Sequence, residues 1–191
     1  MFTMSATALL LIDVQASFPA RDYWDENLAS SWRPRQRRLL DLARDTDVPV
    51  VRILHEAPGS HTPFDPANGL IRPLVGFEDD AAVTFHKTAH NAFSDTGLER
   101  WLRLNHIERL AISGIRTEQC CETTARVGSD LGFAIDFVSE ATLTFAMTRA
   151  GRTWSAEEIR ARTELVLEDR FARIVTIDTL AREWHAGSEA A

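Results

Sequence analysis

The stretch Leu110-Ala-Ile-Ser-Gly-Ile-Arg-Thr-Glu-Gln-Cys-Cys121 predicts three consecutive features of the fold. An apolar strand leads into a turn that Gly114 opens, and a helix follows from Cys120 to about residue 132. A thiol at the start of a helix lies near backbone N–H groups and the positive end of the helix dipole, which favour the thiolate. Cys120 and Cys121 are therefore candidate nucleophiles, although free cysteines are more often small buried hydrophobic residues.

Apolar runs and helix signals alternate along the rest of the chain. Continuous apolar runs bounded by polar residues are typical of strands that are buried on both faces of a parallel sheet. Six strands are predicted, at residues 8–12, 48–54, 82–85, 107–112, 134–138 and 172–177. Besides the helix at Cys120, helices are predicted at 34–44, from a capping box of Thr96 and Glu99 to 104, from a capping box of Ser155 and Glu158, and at 178–185. This alternation indicates an α/β fold with a six-stranded, mostly parallel sheet covered by helices on both faces.

Length and composition indicate one globular domain spanning residues 1–191. The net charge of −7 is spread over interspersed acidic residues and argues against a nucleic-acid surface. The first apolar run is too short for a membrane span and has no basic segment before it, so we expect neither a membrane partner nor a signal peptide. Two adjacent cysteines cannot build a disulfide framework, and a cytoplasmic location fits best.

Three residues of different chemistry follow three predicted strands. Asp13 ends the first strand, Lys87 follows the third, and Cys120 follows the fourth. Because ligands of open parallel sheets bind outside the carboxyl ends of the strands, we expect these side chains to meet at one edge. Each alone has an ordinary explanation: a strand-end turn residue, a surface lysine, a buried thiol.

Together the three residues supply a nucleophile, a proton acceptor and a cation, as thiol-based acyl transfer requires. The carboxylate of Asp13 accepts the thiol proton, and the ammonium of Lys87 favours both the carboxylate and the thiolate. Backbone N–H groups of the turn before the helix, those of Arg116 and Cys120, are the candidates for holding the oxyanion.

Three blocks of sequence carry a resemblance to a known family. They are Leu-Leu-Ile-Asp13-Val-Gln15-x-x-Phe18, then Phe-x-Lys87 followed by Ala-Phe93-x-x-Thr-x-Leu98, and Ser-Gly114-Ile-Arg-Thr117-x-x-Cys120-x-x-x-Thr124-Ala. In this order and spacing the chain resembles the isochorismatase-like cysteine hydrolases. The resemblance implies a three-layer α/β/α fold and a catalytic triad of Asp13, Lys87 and Cys120. It also implies a cis peptide at Ile115–Arg116, and places Cys121 at a position that relatives fill with an apolar residue.

The resemblance favours a cysteine-dependent hydrolase of a small-molecule amide C–N bond that works through a thioester, since the family includes nicotinamidases and N-carbamoyl amidases. Candidate substrate contacts are Gln15, Phe18, His55 and Phe93. Selectivity is expected to lie in the irregular segments 14–32, 55–80 and 141–153, which have no readable code. Family members are usually oligomers, so we expect a homo-oligomer, a dimer or larger.

No metal or other cofactor is expected. Nicotinamidases carry a metal site with an Asp-x-His…His pattern, and His55 and His61 have a similar spacing, but Ile53 stands where the aspartate would be. Two histidines without a carboxylate make an incomplete site. Two alternatives to an amidase stay open: a vinyl-ether hydrolase of the isochorismatase type, and a catalytically idle binding or assembly module with the same fold.

Overall fold

A parallel sheet forms the centre of the molecule, for which the computed structural model describes residues 6–188. The strands are β1 (Ala6–Ile12), β2 (Val50–His55), β3 (Val83–Lys87), β4 (Ile107–Ile115), β5 (Ala134–Leu143), β6 (Met147–Arg149), β7 (Arg152–Trp154) and β8 (Arg173–Ile174). Six of them pair in the order β3-β2-β1-β4-β5-β8, and every pairing in this sheet is parallel. Strands β6 and β7 form a separate antiparallel hairpin.

Within the described residues, five α-helices cover the sheet: α1 (Glu26–Asp45), α2 (Leu98–Leu104), α3 (Glu122–Asp130), α4 (Ala156–Leu167) and α5 (Ile177–Ser188). Successive side chains of a strand point to opposite faces. In β1, Leu9 and Leu11 belong to the apolar cluster that contains residues of α1 and α5. Leu10 and Ile12 belong to the cluster that contains residues of α2, α3 and α4. The expected three-layer α/β/α arrangement is therefore confirmed.

Helix α1 begins eight residues earlier than predicted. The predicted start at Pro34 was wrong because the carboxylate of Asp25 caps the helix, accepting from the backbone N–H groups of Asn27 and Leu28. Pro34 lies inside the helix on its exposed side. The preceding turns are fixed by buried Ala29 and Trp32, whose indole N–H donates to the carbonyl of Ala141 at 2.9 Å. Tertiary packing here overrides the local preference for a helix start at proline.

Three further predictions need correction. The Thr96–Glu99 capping box is absent: the hydroxyl of Thr96 donates to the carbonyl of Ala92 at 2.7 Å, and helix α2 has no side-chain cap. The segment 141–153 is largely regular, because β5 continues to Leu143 and the β6–β7 hairpin follows. The last sheet strand, β8, is much shorter than predicted. The Ser155–Glu158 capping box is confirmed in both of its hydrogen bonds.

The site is positioned at the carboxyl edge of the sheet, where β1, β2, β3 and β4 lie side by side. Within residues 6–188, no helix combines the length and the apolar character needed to cross a membrane.

Candidate active site

Asp13 directly follows β1, between the neighbouring strands β2 and β4. Its backbone N–H donates to the carbonyl of Ile53 at 2.9 Å, and its φ of 52° turns the chain out of the sheet. On the other side, Gly114 pairs with Ile12 and has a φ of 128°. A Cβ at this glycine would lie 1.9 Å from the carbonyl oxygen of Ile12, so the close approach of β1 and β4 requires glycine.

Lys87 is the last residue of β3 and pairs with His55 at the end of β2. Its ammonium reaches past β2 and donates to Asp13 Oδ2 at 2.9 Å and to Cys120 Sγ at 3.3 Å. It also contacts His55 Nδ1 at 3.3 Å and donates to the carbonyl of Ala89 at 3.2 Å. The side chains of Lys87 and Asp13 are 0% and 1% exposed, so the ion pair is fully removed from water. The structure thus brings the three candidates together.

Cys120 lies in a π-helical turn, Thr117–Cys121, between β4 and α3. The prediction that the cysteines open an α-helix is corrected accordingly, since α3 begins only at Glu122. The peptide bond Ile115–Arg116 before the turn is cis, as the resemblance implied. The carbonyl of Arg116 accepts from the N–H groups of both Gln119 and Cys121 at 3.2 Å, which fixes the turn.

The two cysteines have different surroundings. Cys120 lines a cavity, whereas Cys121 is completely buried in the apolar cluster on the α2–α3–α4 face. The interpretation of Cys121 as a packing residue is confirmed.

The pKa of the Cys120 thiol is shifted in the direction opposite to that expected from the sequence. Burial raises the pKa of the Cys120 thiol well above its ordinary value, and the negative charge of Asp13 raises it further. Lys87 opposes this shift but does not cancel it. Burial and the charge of Asp13 thus act against the stabilisation of the thiolate that was expected at the start of a helix. Burial alone would lower the pKa of Lys87, but its interactions with Asp13 and Cys120 outweigh burial, and the pKa of Lys87 is raised.

A cavity of about 260 Å³ opens above Cys120 and Asp13. Its wall contains aromatic rings, histidines, hydroxyl groups and one arginine. The lining residues are Asp13, Phe18, Arg21, Tyr23, His55, Ala57, Ser60, Thr62, Phe64, His90, Gln119 and Cys120. The volume is slightly below the range of about 300–1,000 Å³ for pockets that hold drug-sized ligands, so it fits a small molecule.

Two of the four expected substrate contacts line this cavity. Phe18 packs edge-to-face against Phe64 at 5.1 Å between ring centroids, and His55 stacks on His90 at 6.2 Å. Burial, followed by the charge of Lys87, lowers the pKa of His55.

Gln15 and Phe93 lie elsewhere. Gln15 is fully buried and bonds to the main chain of His55. Phe93 stacks on Phe133 at 5.9 Å, within the apolar cluster on the α2–α3–α4 face. Neither residue belongs to the cavity wall.

The two histidines that were considered as metal ligands, His55 and His61, have different surroundings. His55 lines the cavity, whereas His61 is exposed and its backbone N–H donates to Asp65. Among residues 6–188, no group of three or more His, Cys, Asp or Glu side chains is arranged to hold a metal ion.

Sequence reasoning missed much of the cavity wall. Arg21, Tyr23, Phe64, His90 and Gln119 line it without having been predicted. Arg21, Tyr23 and Phe64 lie in the long irregular segments 14–32 and 55–80, and His90 lies in the loop after β3. In these segments no periodic pattern reveals which side chains turn inward. Gln119 could have been found, because it immediately precedes the candidate nucleophile.

Fold and site together define a parallel α/β protein with a buried carboxylate–lysine–cysteine cluster at the carboxyl edge of its sheet. Residues 7–178 match the family model described as the isochorismatase domain, and the chain belongs to this family. It is accordingly a hydrolase, as the family relatives are.

Three relatives illustrate the range of similarity. The isochorismatase family protein YrdC of Bacillus subtilis is 30% identical over 184 residues, covering 93% of this chain and 95% of the relative. Nicotinamidase 3 of Arabidopsis thaliana is 28% identical over 189 residues, covering 92% of this chain and 87% of the relative. A crystal structure of an isochorismatase-named protein from Burkholderia xenovorans LB400 superposes with a TM-score of 0.86 at 28% identity, covering 95% of this chain and 88% of that one.

Proposed function

We propose that this hydrolase cleaves the C–N bond of a small amide, with Cys120 as the nucleophile. The observation that carries the proposal is the position of Lys87 Nζ, which lies 2.9 Å from Asp13 Oδ2 and 3.3 Å from Cys120 Sγ. Asp13 and Cys120 both line the cavity. The similarity to a protein named as a nicotinamidase supports amide chemistry.

Asp13 is proposed as the proton acceptor. Its Oδ2 is occupied by Lys87, while Oδ1 is buried and has no hydrogen-bond partner among the described residues. That oxygen is free to take the proton of the Cys120 thiol as the sulfur attacks the amide carbonyl. Because the pKa of the thiol is raised, the resting enzyme holds the proton on sulfur, and transfer to Asp13 accompanies the attack.

The carbonyl oxygen gains the negative charge during attack. The backbone N–H groups of Arg116 and Cys120 are proposed to bind it, since both belong to the turn that presents the sulfur. Collapse of the tetrahedral intermediate breaks the C–N bond, and the carboxylic acid of Asp13 gives its proton to the departing nitrogen. The products of this half are ammonia or an amine and a thioester on Cys120.

Water completes the reaction. Asp13, again a carboxylate, takes a proton from water as its oxygen attacks the thioester carbonyl, and that proton passes to the departing sulfur. The acid product leaves and the Cys120 thiol is restored. Lys87 is proposed to keep its proton throughout, because its interactions with Asp13 and Cys120 raise the pKa of its ammonium.

The proposal is tested by measuring ammonia release from a panel of small primary amides. Wild type is expected to release ammonia from at least one of them, and Cys120→Ala to release none above background. Cys121→Ala is the matched control and is expected to retain activity, because Cys121 belongs to the core. A Cys120→Ala variant with wild-type activity, or turnover confined to a vinyl ether, would overturn the proposal.

A further inference from the structure

Arg21 contributes a positively charged side chain to the wall of the cavity. It follows the short helical turn Phe18–Ala20, and its backbone N–H donates to the carbonyl of Phe18 at 2.9 Å. Its own carbonyl accepts from the N–H of Trp24 at 3.0 Å. These two bonds hold the main chain on both sides of the residue, and the side chain lines the cavity that contains Cys120.

The guanidinium of Arg21 has no carboxylate partner in the part of the chain that the structure describes. No described acidic residue forms an ion pair with it, and its Nε is buried without a hydrogen-bond partner among residues 6–188. Its carbon Cζ lies 5.2 Å from the ring centroid of Tyr23. Arg116 contacts the same ring at 5.0 Å but is paired with Glu118 at 3.0 Å. Of the two arginines on this ring, Arg21 is the one that retains an unmatched charge.

Among the described residues that line the cavity, none balances the charge of Arg21. Asp13 is the acidic residue among the lining residues, and Lys87 neutralises it at 2.9 Å. His55 and His90 add no negative charge, and the remaining lining residues are neutral. The cavity wall therefore has a net positive charge, which is located at Arg21.

We propose that Arg21 binds the carboxylate of the substrate, so that the substrate class is a small amide carrying a carboxylate on the end remote from the scissile bond. The inference deepens the proposed function and rests on it. The planar guanidinium suits a carboxylate because it can donate two parallel hydrogen bonds. The Tyr23 ring holds the guanidinium on one side, and the cavity of about 260 Å³ limits the substrate to a short chain or one small ring.

A matched pair of amides tests this assignment. Succinamate and butyramide have the same amide and the same chain length, but only succinamate carries a carboxylate. Wild type is expected to prefer succinamate in kcat/KM. In Arg21→Gln the preference is expected to fall by about 10- to 100-fold, the range for loss of a charge-assisted contact, and to fall mainly through KM. Arg21→Lys keeps the charge but loses the fork and should lie between the two.

Arg35→Gln is the matched control, since Arg35 is an exposed residue of α1 outside the cavity wall. This control is expected to keep the wild-type preference. The inference is overturned if wild type does not prefer succinamate. It is also overturned if Arg21→Gln lowers kcat/KM for both amides by the same factor, which is the result for an arginine that only packs on Tyr23.

A second measurement does not depend on amide turnover. Iodoacetate and iodoacetamide both alkylate thiols with loss of iodide, but only iodoacetate carries a negative charge. The ratio of their rates at Cys120 is expected to be several-fold higher in wild type than in Arg21→Gln, and unchanged in Arg35→Gln. If no amide is hydrolysed but the ratio shifts, the proposed reaction fails while the anion site stands. If amides are hydrolysed and neither ratio shifts, the anion site fails alone.

Discussion

The side-chain amide of Gln15 bonds to both main-chain groups of His55. Oε1 of Gln15 accepts from the backbone N–H of His55 at 2.7 Å, and Nε2 donates to its carbonyl at 2.9 Å. Nε2 also donates to the hydroxyl of Ser17 at 2.9 Å. The segment after β1 is thereby joined to the end of β2, the point where His55 meets Lys87.

Gln15→Ala is expected to lower kcat/KM as well as stability. The change leaves two main-chain groups of His55 without partners, at a cost of about 1–3 kcal/mol each where they are buried. Gln36→Ala is the control: Gln36 is equally buried, but its amide donates to Ser113 at 3.1 Å, between α1 and β4. Urea unfolding and amide kinetics on both variants separate the two effects. Equal loss of activity at equal loss of stability would show that Gln15 has no special influence on the site.

Gly114→Ala is expected to destabilise the protein by roughly 3 kcal/mol or more, because the new Cβ collides with the carbonyl of Ile12 as well as facing an unfavourable φ. Gly132→Ala measures the cost of the positive φ alone, because the φ of Gly132 is 88° and nothing lies within 4 Å of the added Cβ. A destabilisation of about 1–2 kcal/mol is expected for this variant. The free energies of unfolding in urea provide the comparison. Similar values for the two variants would contradict the close approach of β1 and β4.

Lys87→Met is expected to destabilise the fold by about 3–5 kcal/mol, since it leaves the carboxylate of Asp13 buried without its cation. The double variant Asp13→Asn/Lys87→Met removes both charges and is expected to recover a large part of that loss. Chemical unfolding of the two single variants and the double variant completes a thermodynamic cycle. A double variant that loses the sum of the single losses would show that the two side chains do not interact.

Asp13→Asn is expected to separate reactivity of the thiol from catalysis. The charge of Asp13 raises the pKa of Cys120, so its removal lowers that pKa and shifts the pH profile of Cys120 alkylation to lower pH. In wild type the alkylation rate should still be rising above the ordinary thiol range. Amide hydrolysis in the variant should fall by about 10²–10⁴-fold, because the proton acceptor is gone. Alkylation profiles and ammonia release are measured on the same preparation. A profile shifted to higher pH, or undiminished hydrolysis, contradicts the role of Asp13.

The sheet and the three central residues could be predicted because both depend on strong local signals. Apolar runs mark the buried strands, and polar residues that end them must meet at the carboxyl edge. Helix α1 was misplaced because Pro34 is a local signal for a helix start, whereas Trp32 is held by a contact with Ala141, more than a hundred residues away. The buried hydrogen bond between Trp32 and Ala141 cannot be recognised from any periodic pattern in the sequence.

The cavity wall was harder to predict for the same reason. Arg21 and Tyr23 lie in a loop, where no repeat tells which side chain turns inward. The pKa of Cys120 also depends on burial, which spacing along a helix does not reveal. The homo-oligomer, the cytoplasmic location and the absence of a cofactor remain predictions from the sequence.

The order of the strands has a consequence for the choice of amino acid at position 87. Strand β3 is not a neighbour of β1, because β2 lies between them. Neighbouring strands are about 4.8 Å apart, so the backbones of β3 and β1 are separated by roughly 10 Å. The four-carbon stem of Lys87, the short side chain of Asp13 and the 2.9 Å hydrogen bond between them together span that separation. The separation of the strands therefore requires a long, thin cationic side chain at position 87, and a shorter one such as histidine would not reach Asp13.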